Sequence, residues 1–337
     1  MDFTIAIPTY NGAKRLPLLL SALDQQKPVP GIQWEVLVVD NNSQDDTARI
    51  VQAWQEKQLS YGIRYCHETQ QGAAFARQRA IREATGTWVG FLDDDLTPDE
   101  NWLGAAIRFR DFRPRLGAFS GKIRGVYEIK PPPDFDKIKA FLAIRDHGNK
   151  PRPFAPEHLQ LPPAASLVVR RSAWLESVPA EQKLTGPIQQ RFSHKRSNLL
   201  IQGEDYESLL YLHRANWEIW YTPDLVASHH IPATRFDRDY LLTLSKACGL
   251  PTFQLLLVLS KSPVETILMF FRTLLGNIRR LVLHWLKYGK RIDREVVPGC
   301  LWAFYYGSFL SPFVGIANGF LAMQRIRKAD EKMELRD

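Results

Sequence analysis

Thr87-Trp-Val-Gly-Phe-Leu-Asp93-Asp94-Asp95 is an apolar run that ends in three consecutive carboxylates. Acids closing a buried strand repel one another and resist desolvation, so such a cluster is tolerable where a cation, most simply a divalent metal, shares the site. Hard divalent ions take a few carboxylates together with the oxygens of a substrate diphosphate. The stretch therefore predicts a metal-and-phosphate site. The plainer alternative is an Asp-rich turn, with Asp99 capping a helix near Glu100.

Upstream, the same unit repeats. Phe3 to Ile7 is a short β-rich run closed by Pro8-Thr9-Tyr10-Asn11-Gly12, and Leu16, Leu19, Leu20 and Leu23 then recur at helical spacing. Trp34-Glu-Val-Leu-Val-Val-Asp40 is apolar almost throughout, as a central parallel strand covered on both faces must be. Asp40-Asn41-Asn42-Ser43 follows it, with Asp45 and Asp46 opening a helix. A strand at Ile63 to Cys66 and a helix from Gly72 to Ala84 complete the alternation before Trp88 to Leu92. The expected fold is α/β, a mostly parallel sheet flanked by helices. Ligands of such sheets sit at the carboxyl ends of the strands, where Pro8 to Gly12, Asp40 to Ser43, Glu68 to Gln71 and Asp93 to Asp95 all fall. Neither GxGxxG nor GxxxxGK[ST] is present. A nucleotide has other handles here: Tyr10 to stack on a base, Asp40 to accept from base or ribose, and Arg77 to bring charge.

The chain of 337 residues is 45% apolar and 24% charged, enough for a substantial core, and its net charge of +8 points to a phosphorylated substrate, an anionic membrane face or nucleic acid. Three distant cysteines, Cys66, Cys248 and Cys300, suggest neither a disulfide framework nor a zinc cluster. With a strand directly after Met1, the expectation is a chain that faces the cytosol.

Taken together, Pro8-Thr-Tyr-Asn11, Asp40-Asn-Asn42-Ser43 with Asp46, Gly72 with Ala76-Arg77, and Phe91-Leu-Asp-Asp-Asp95 resemble, in order and spacing, the nucleotide-sugar half of family 2 glycosyltransferases of the GT-A fold. The resemblance covers roughly the first 125 residues. It implies that the first loop (Pro8, Thr9, Tyr10, Asn11), Asp40, Asn42 and Arg77 hold the nucleotide. It further implies that the DxD acids hold ribose and diphosphate, Asp93 and Asp94 with the donor and Asp95, joined by Asp93, with Mg²⁺ or Mn²⁺.

Gly203-Glu204-Asp205-Tyr-Glu207 opens a helix, where acids suit the helix dipole in any protein. The resemblance gives them more, because the family carries an acidic pair here whose aspartate is the catalytic base. Asp205 is then the base and Glu204 the residue that positions the acceptor. Near a positive helix end Asp205 is expected to stay ionised and to take the acceptor's proton. His229, Ile231, Pro232 and Arg235 match a further family pattern, which makes His229 a candidate metal or phosphate ligand and Arg235 a neutraliser of the leaving diphosphate; His230 is a weaker candidate. Ala143-Ile-Arg, Leu161-Pro-Pro163, Leu167-Val-Val-Arg-Arg171, Trp217 to Pro223 and Ser311-Pro-Phe313 are similar to the cyanobacterial hormogonium polysaccharide biosynthesis glycosyltransferases. Where those enzymes tend to carry glycines, this chain has Ala164-Ala165.

Residues 130 to 163 are proline-rich around a short helix near Asp136 to Ile144, and Arg191, His194, Lys195 and Arg196 mark a basic loop near the acceptor. The expected organisation is a donor half over 1–125, an acceptor half with the base over 126–250, and a helical region over 251–337. On a helix over 264–288, Ile267, Phe271, Leu274, Ile278, Leu281 and Trp285 share one face, with Arg272, Arg279, Arg280 and Lys287 opposite, the pattern of a helix lying in an anionic membrane surface. Val296 to Gln324 carries no charge for 29 residues but has basic flanks on both sides, which favours a re-entrant or interfacial hairpin on the cytoplasmic leaflet over a span. The expected function is an inverting, metal-dependent transferase that moves a sugar from a nucleotide diphosphate to a carbohydrate or lipid-linked glycan, with no nucleic acid involved. Two alternatives stand beside it. A sugar-nucleotide nucleotidyltransferase needs a glycine-rich basic loop that Pro8 to Gly12 lacks, and a non-catalytic nucleotide-sugar binding protein predicts a degraded site, whereas Asp93, Asp95 and Asp205 are all present.

Overall fold

In a computed structural model, residues 1–186 and 202–314 are described. They fall into two compact units that divide between Asp237 and Arg238. The first is built on one mixed sheet. The strands β1 (Phe3–Thr9), β2 (Trp34–Asp40), β3 (Gly62–His67) and β4 (Trp88–Leu92) run parallel in the spatial order β3-β2-β1-β4, linked by α1 (Leu16–Asp24), α2 (Thr47–Gln55) and α3 (Ala73–Glu83). The register sets Thr9 beside Asp40, and Asp40 beside His67, so the loops after β1, β2 and β3 leave the sheet at one level. Ala6 pairs with Phe91, which brings the three aspartates to the same edge.

Beyond β4 the sheet continues through β8 (Ser166–Arg170), β6 (Leu116–Tyr127), β9 (Glu218–Ile231) and β5 (Leu96–Pro98), while β7 (Arg152–Pro153) pairs with β9. The strand β8 is antiparallel to both β4 and β6. In the core, Ile5, Ile7, Val36 and Val38 pack with Leu16, Leu19, Leu20 and Leu23 of α1. Each such side chain contributes about 1.5–3 kcal/mol on full burial. Trp102, at the start of α4 (Trp102–Phe109), is fully buried and donates its indole hydrogen to Ser166 Oγ at 3.0 Å.

Two features depart from expectation. The helix foreseen over Asp136 to Ile144 is instead two 3₁₀ turns, Phe135–Lys137 and Lys139–Leu142, held apart by Ile138 and closed by Ala143 in the left-handed region. Twelve-residue β6 was not foreseen. Glycines at 117, 121 and 125 dilute its β signal, and Gly121 is required because an added Cβ would strike the Leu225 carbonyl where β9 passes. The boundary expected after residue 125 falls inside this strand, so residues 1–237 share one sheet.

In the second unit, α7 (Arg238–Gly249), α8 (Thr252–Leu259), α9 (Pro263–Tyr288) and α10 (Arg291–Arg294) precede a helix over 296–314. Arg238–Leu259 is the one described stretch long and apolar enough to cross a membrane, but it is half buried, and Leu250-Pro251 breaks it. Of the expected hairpin over 296–324, the described part is one continuous helix, and the remainder lies outside the described residues.

Candidate active site

The site begins as a set of loops tied to one another by backbone and short polar side chains. Asn11, with φ 49°, receives the Gln44 amide on Oδ1 at 2.8 Å and gives its own amide to Ser43 Oγ at 2.8 Å. Gly12 donates to Thr47 Oγ1 at 2.9 Å. Asn41 does the same work toward the third loop: its Nδ2 reaches the Gln70 carbonyl at 2.6 Å and its Oδ1 accepts from Gly72 at 2.8 Å. Gly72 turns into α3 at φ 143°, a conformation that favours glycine. Asp40 is buried, accepting from the Ser43 amide and from the Tyr65 hydroxyl, each at 2.8 Å. Asn42 is exposed, in the left-handed region, while Pro8 near the end of β1 and Tyr10 on the first loop are half-buried.

The three aspartates separate into different roles. Asp94 turns back beneath the first loop, where Arg15 grips it bidentately at 2.7 and 2.9 Å and Thr9 Oγ1 donates to it at 2.5 Å. Its carboxylate thus anchors the loop, and donor contact by Asp94 is not what these bonds show. Asp93 faces Arg77 at 3.6 Å, and burial raises its carboxyl above the usual range against the pull of that guanidinium. Asp95 meets His229 Nε2 at 3.2 Å and Arg235 Nη2 at 2.8 Å. Burial works against its ionisation, but His229, Arg235 and Arg15 outweigh it and hold the carboxyl well below the usual range.

The β5–β9 register explains why residues so far apart meet. Leu96 stands opposite His229, and the His230 amide donates to the Asp95 carbonyl at 3.1 Å. His229 Nδ1 faces the Leu142 carbonyl at 2.9 Å, an acceptor only, so that nitrogen carries a proton and Nε2 points at Asp95. His230 turns the other way, to Thr97 Oγ1 at 2.7 Å.

On the opposite wall, α6 (Glu204–Arg214) brings the acidic pair. Arg77, buried on α3, donates from Nη1 to Glu204 Oε1 at 2.9 Å while its other nitrogen faces Asp93, so one guanidinium spans both acidic clusters. Its Nε is buried without a partner among the described residues. Asp205 accepts from the Ala164 amide at 3.1 Å and from the Tyr206 amide at 2.8 Å. Burial, reinforced by the charge of Glu204, pushes its carboxyl up to about 6 in spite of Arg77 and the two amides. The helix end alone does not set this value. A carboxylate with that affinity for a proton is still ionised at neutral pH and is a better base than an ordinary aspartate.

Among the described residues no three His, Cys, Asp or Glu side chains form a complete metal cage. Asp95 and His229 offer the donor types of the other mode of binding, in which a divalent ion takes one or two protein ligands and completes its shell with water and substrate phosphate; Arg235, whose Nη1 lies 3.0 Å from His229 Nε2, must move aside for an ion to sit between them. Sequence reasoning missed Arg15 and Asn41, which hold the loops rather than the ligand; the only sequence signal was their position just past strand ends. The loop with Arg191, His194, Lys195 and Arg196 lies outside the described residues.

A mixed α/β sheet with an acidic cluster at the carboxyl end of β4, faced by a second acidic pair on α6, defines a GT-A-type fold. Residues 4–156 match the family described as Glycosyl transferase family 2. The chain is similar to glycosyltransferase AglE of Haloferax volcanii, 36% identical over 104 residues, which are 31% of this chain and 34% of AglE. It is also similar to the poly(ribitol-phosphate) beta-N-acetylglucosaminyltransferase TarS of Staphylococcus aureus, 33% identical over 111 residues, 33% of this chain and 19% of TarS. The matches thus span about a third of one relative and a fifth of the other. Among solved structures, the mannosyltransferase PcManGT from Pyrobaculum calidifontis, in complex with GDP-Man and Mn2+, superposes with a TM-score of 0.60 at 18% identity, covering 93% of this chain and 86% of that one. That likeness is one of fold.

Proposed function

We propose that the chain is an inverting, metal-dependent glycosyltransferase, moving a sugar from a nucleotide diphosphate to a carbohydrate or lipid-linked glycan at the cytoplasmic face of a membrane. The observation that carries this reading is the Arg77 bridge, which sets Asp93 and Glu204 on one guanidinium and Asp205 beside them. Donor-side and acceptor-side acids then share a cleft. In this reading the tied loops of Asn11, Asp40 and Asn41 shape the nucleoside pocket. Asp205, held by two backbone amides, takes the proton of the acceptor hydroxyl as its oxygen attacks the anomeric carbon in line with the departing diphosphate. Arg235 supplies positive charge to the phosphate side. A divalent ion such as Mg²⁺ or Mn²⁺, held by Asp95 with His229, would neutralise the leaving group.

The relatives named above support nucleotide-sugar chemistry, and the likeness to hormogonium polysaccharide enzymes suggests a polysaccharide acceptor. The test is transfer and donor hydrolysis by the full chain across a panel of UDP-, GDP- and dTDP-sugars, with Mn²⁺ and with chelator. Turnover of one donor that stops on chelation supports the reading. Incorporation of a nucleoside triphosphate into a sugar phosphate, without sugar transfer, would favour nucleotidyl transfer instead.

A further inference from the structure

The long helix of the second unit turns polar side chains inward and apolar ones outward. On α9, the buried residues are Thr273, Asn277 and His284, with Asn277 bonded to the Thr273 carbonyl and His284 Nε2 facing the Pro298 carbonyl at 2.8 Å. Large apolar side chains on the same helix point away from the protein: Ile267, Phe271, Leu275, Ile278, Val282 and Trp285 are each 41–62% exposed. Their spacing of three and four residues makes one stripe, about 140° around the helix from the buried polar row at 3.6 residues per turn. A helix packed on a soluble domain has the opposite arrangement. Phe270 alone among the large apolar rings of α9 turns inward, onto Phe253 and Phe313, and the outward stripe is left for apolar surroundings.

Charge identifies which. Residues 238–314 hold ten lysines and arginines against four acids. Arg272 and Arg279 are exposed on the flank of the stripe and Lys287 is exposed further round the helix near its C-terminal end, and none forms an ion pair among the described residues. A second copy of the chain would bring the same positive flank to this face and be repelled. A span across a bilayer would drag these cations through hydrocarbon. A helix lying in the headgroup zone avoids both penalties, with the stripe in the acyl boundary and the cations among lipid phosphates.

We propose that α9 is a lipid-docking helix that seats its apolar stripe in an anionic leaflet, with Arg272, Arg279 and Lys287 selecting the anionic headgroups. This deepens the membrane-face part of the proposed function by naming the helix and the lipid charge, and it stands or falls by lipid binding whether or not the chain transfers sugar. The test is flotation of the full chain with vesicles of phosphatidylcholine alone or mixed with phosphatidylglycerol. The wild type floats with the anionic vesicles, and Arg272→Glu/Arg279→Glu weakens binding roughly tenfold or more. Ile267→Glu/Phe271→Glu/Ile278→Glu, all exposed positions, abolishes flotation while the circular dichroism stays native. Trp285 emission, read as the difference from Trp285→Phe, shifts to the blue with anionic vesicles. Absence of flotation in the wild type, or undiminished flotation of the triple variant, overturns the proposal. So does a wild-type dimer that the triple variant dissolves while neither binds lipid, because the stripe is then a contact between copies.

Discussion

Arg77 Nη1 donates to Glu204 Oε1 at 2.9 Å, joining α3 to α6 across 127 residues of sequence. Both side chains are buried, and Asp93 lies 3.6 Å from the same guanidinium. A cation in that position holds two acidic clusters together that would otherwise repel one another. Removing one partner of such a buried group leaves uncompensated charge, at about 3–5 kcal/mol. Arg77→Met is therefore expected to lower stability by about that amount, read as the midpoint of urea unfolding. Arg77→Lys should be nearly as costly, because an ammonium cannot span two carboxylates as a planar fork does. A midpoint unchanged by either substitution would remove the bridge from the account.

The elevated proton affinity of Asp205 sets a pH dependence. Its carboxyl sits at about 6, and the base is active only when ionised, so kcat/KM should climb tenfold per pH unit below that value and level off above it. Glu204 contributes to the elevation. Glu204→Gln should move the acidic limb to lower pH, and a limb that stays in place would assign the titration to another group.

Much of this site was legible because strand order and side-chain type agree. Asp40 and Asp93–Asp95 follow apolar strands, and a parallel sheet collects strand ends at one edge. What the sequence did not disclose was pairing that depends on register. His229 reaches Asp95 only because β5, three residues long and followed by a proline-closed turn into α4, lies antiparallel to β9. Three residues carry no periodicity to read. The bonds of Asp94 were hidden for a related reason. Within a run of identical acids nothing local tells which one turns back to Arg15 and Thr9 and which face the cleft. On α9 the amphipathic pattern did not disclose that Thr273, Asn277 and His284 are the buried row, since amphipathicity alone does not say which side packs.

Asp95 and His229 are expected to act together on a divalent ion. Asp95→Asn and His229→Ala should each weaken Mn²⁺ binding, followed by electron paramagnetic resonance in the presence of a nucleoside diphosphate, by about 10-fold or more. Arg235→Ala should leave the ion bound and raise KM for the donor. Equal Mn²⁺ affinity in all three variants would put the metal elsewhere.

Glu35 offers a control at the far end of the sheet. This buried carboxylate accepts from Thr4 Oγ1 at 2.8 Å and from Thr85 through its amide at 3.0 Å and its hydroxyl at 2.7 Å. Burial opposes its charge, but the Thr85 and Thr4 bonds and Arg64 prevail and lower its carboxyl below the ordinary value. Its contribution is thus present above the unfolded carboxyl value and fades as pH falls through the lower folded one. Glu35→Gln should cost about 1–3 kcal/mol at neutral pH, with the deficit shrinking in acid and transfer activity per folded molecule unchanged. A deficit that grows in acid would reverse the assignment.

Substitution of Asp205 by asparagine puts the whole account to its sharpest trial, because it keeps the shape of the side chain and removes only its capacity to hold a proton. With whichever nucleotide sugar the wild type consumes, turnover should fall by about 10²–10⁴-fold while the donor dissociation constant, measured by calorimetry, stays within about threefold of the wild type. Transfer at the wild-type rate, or loss of donor binding in step with loss of turnover, would contradict the claim that Asp205 faces the acceptor across a cleft shared with Asp93 and Asp95.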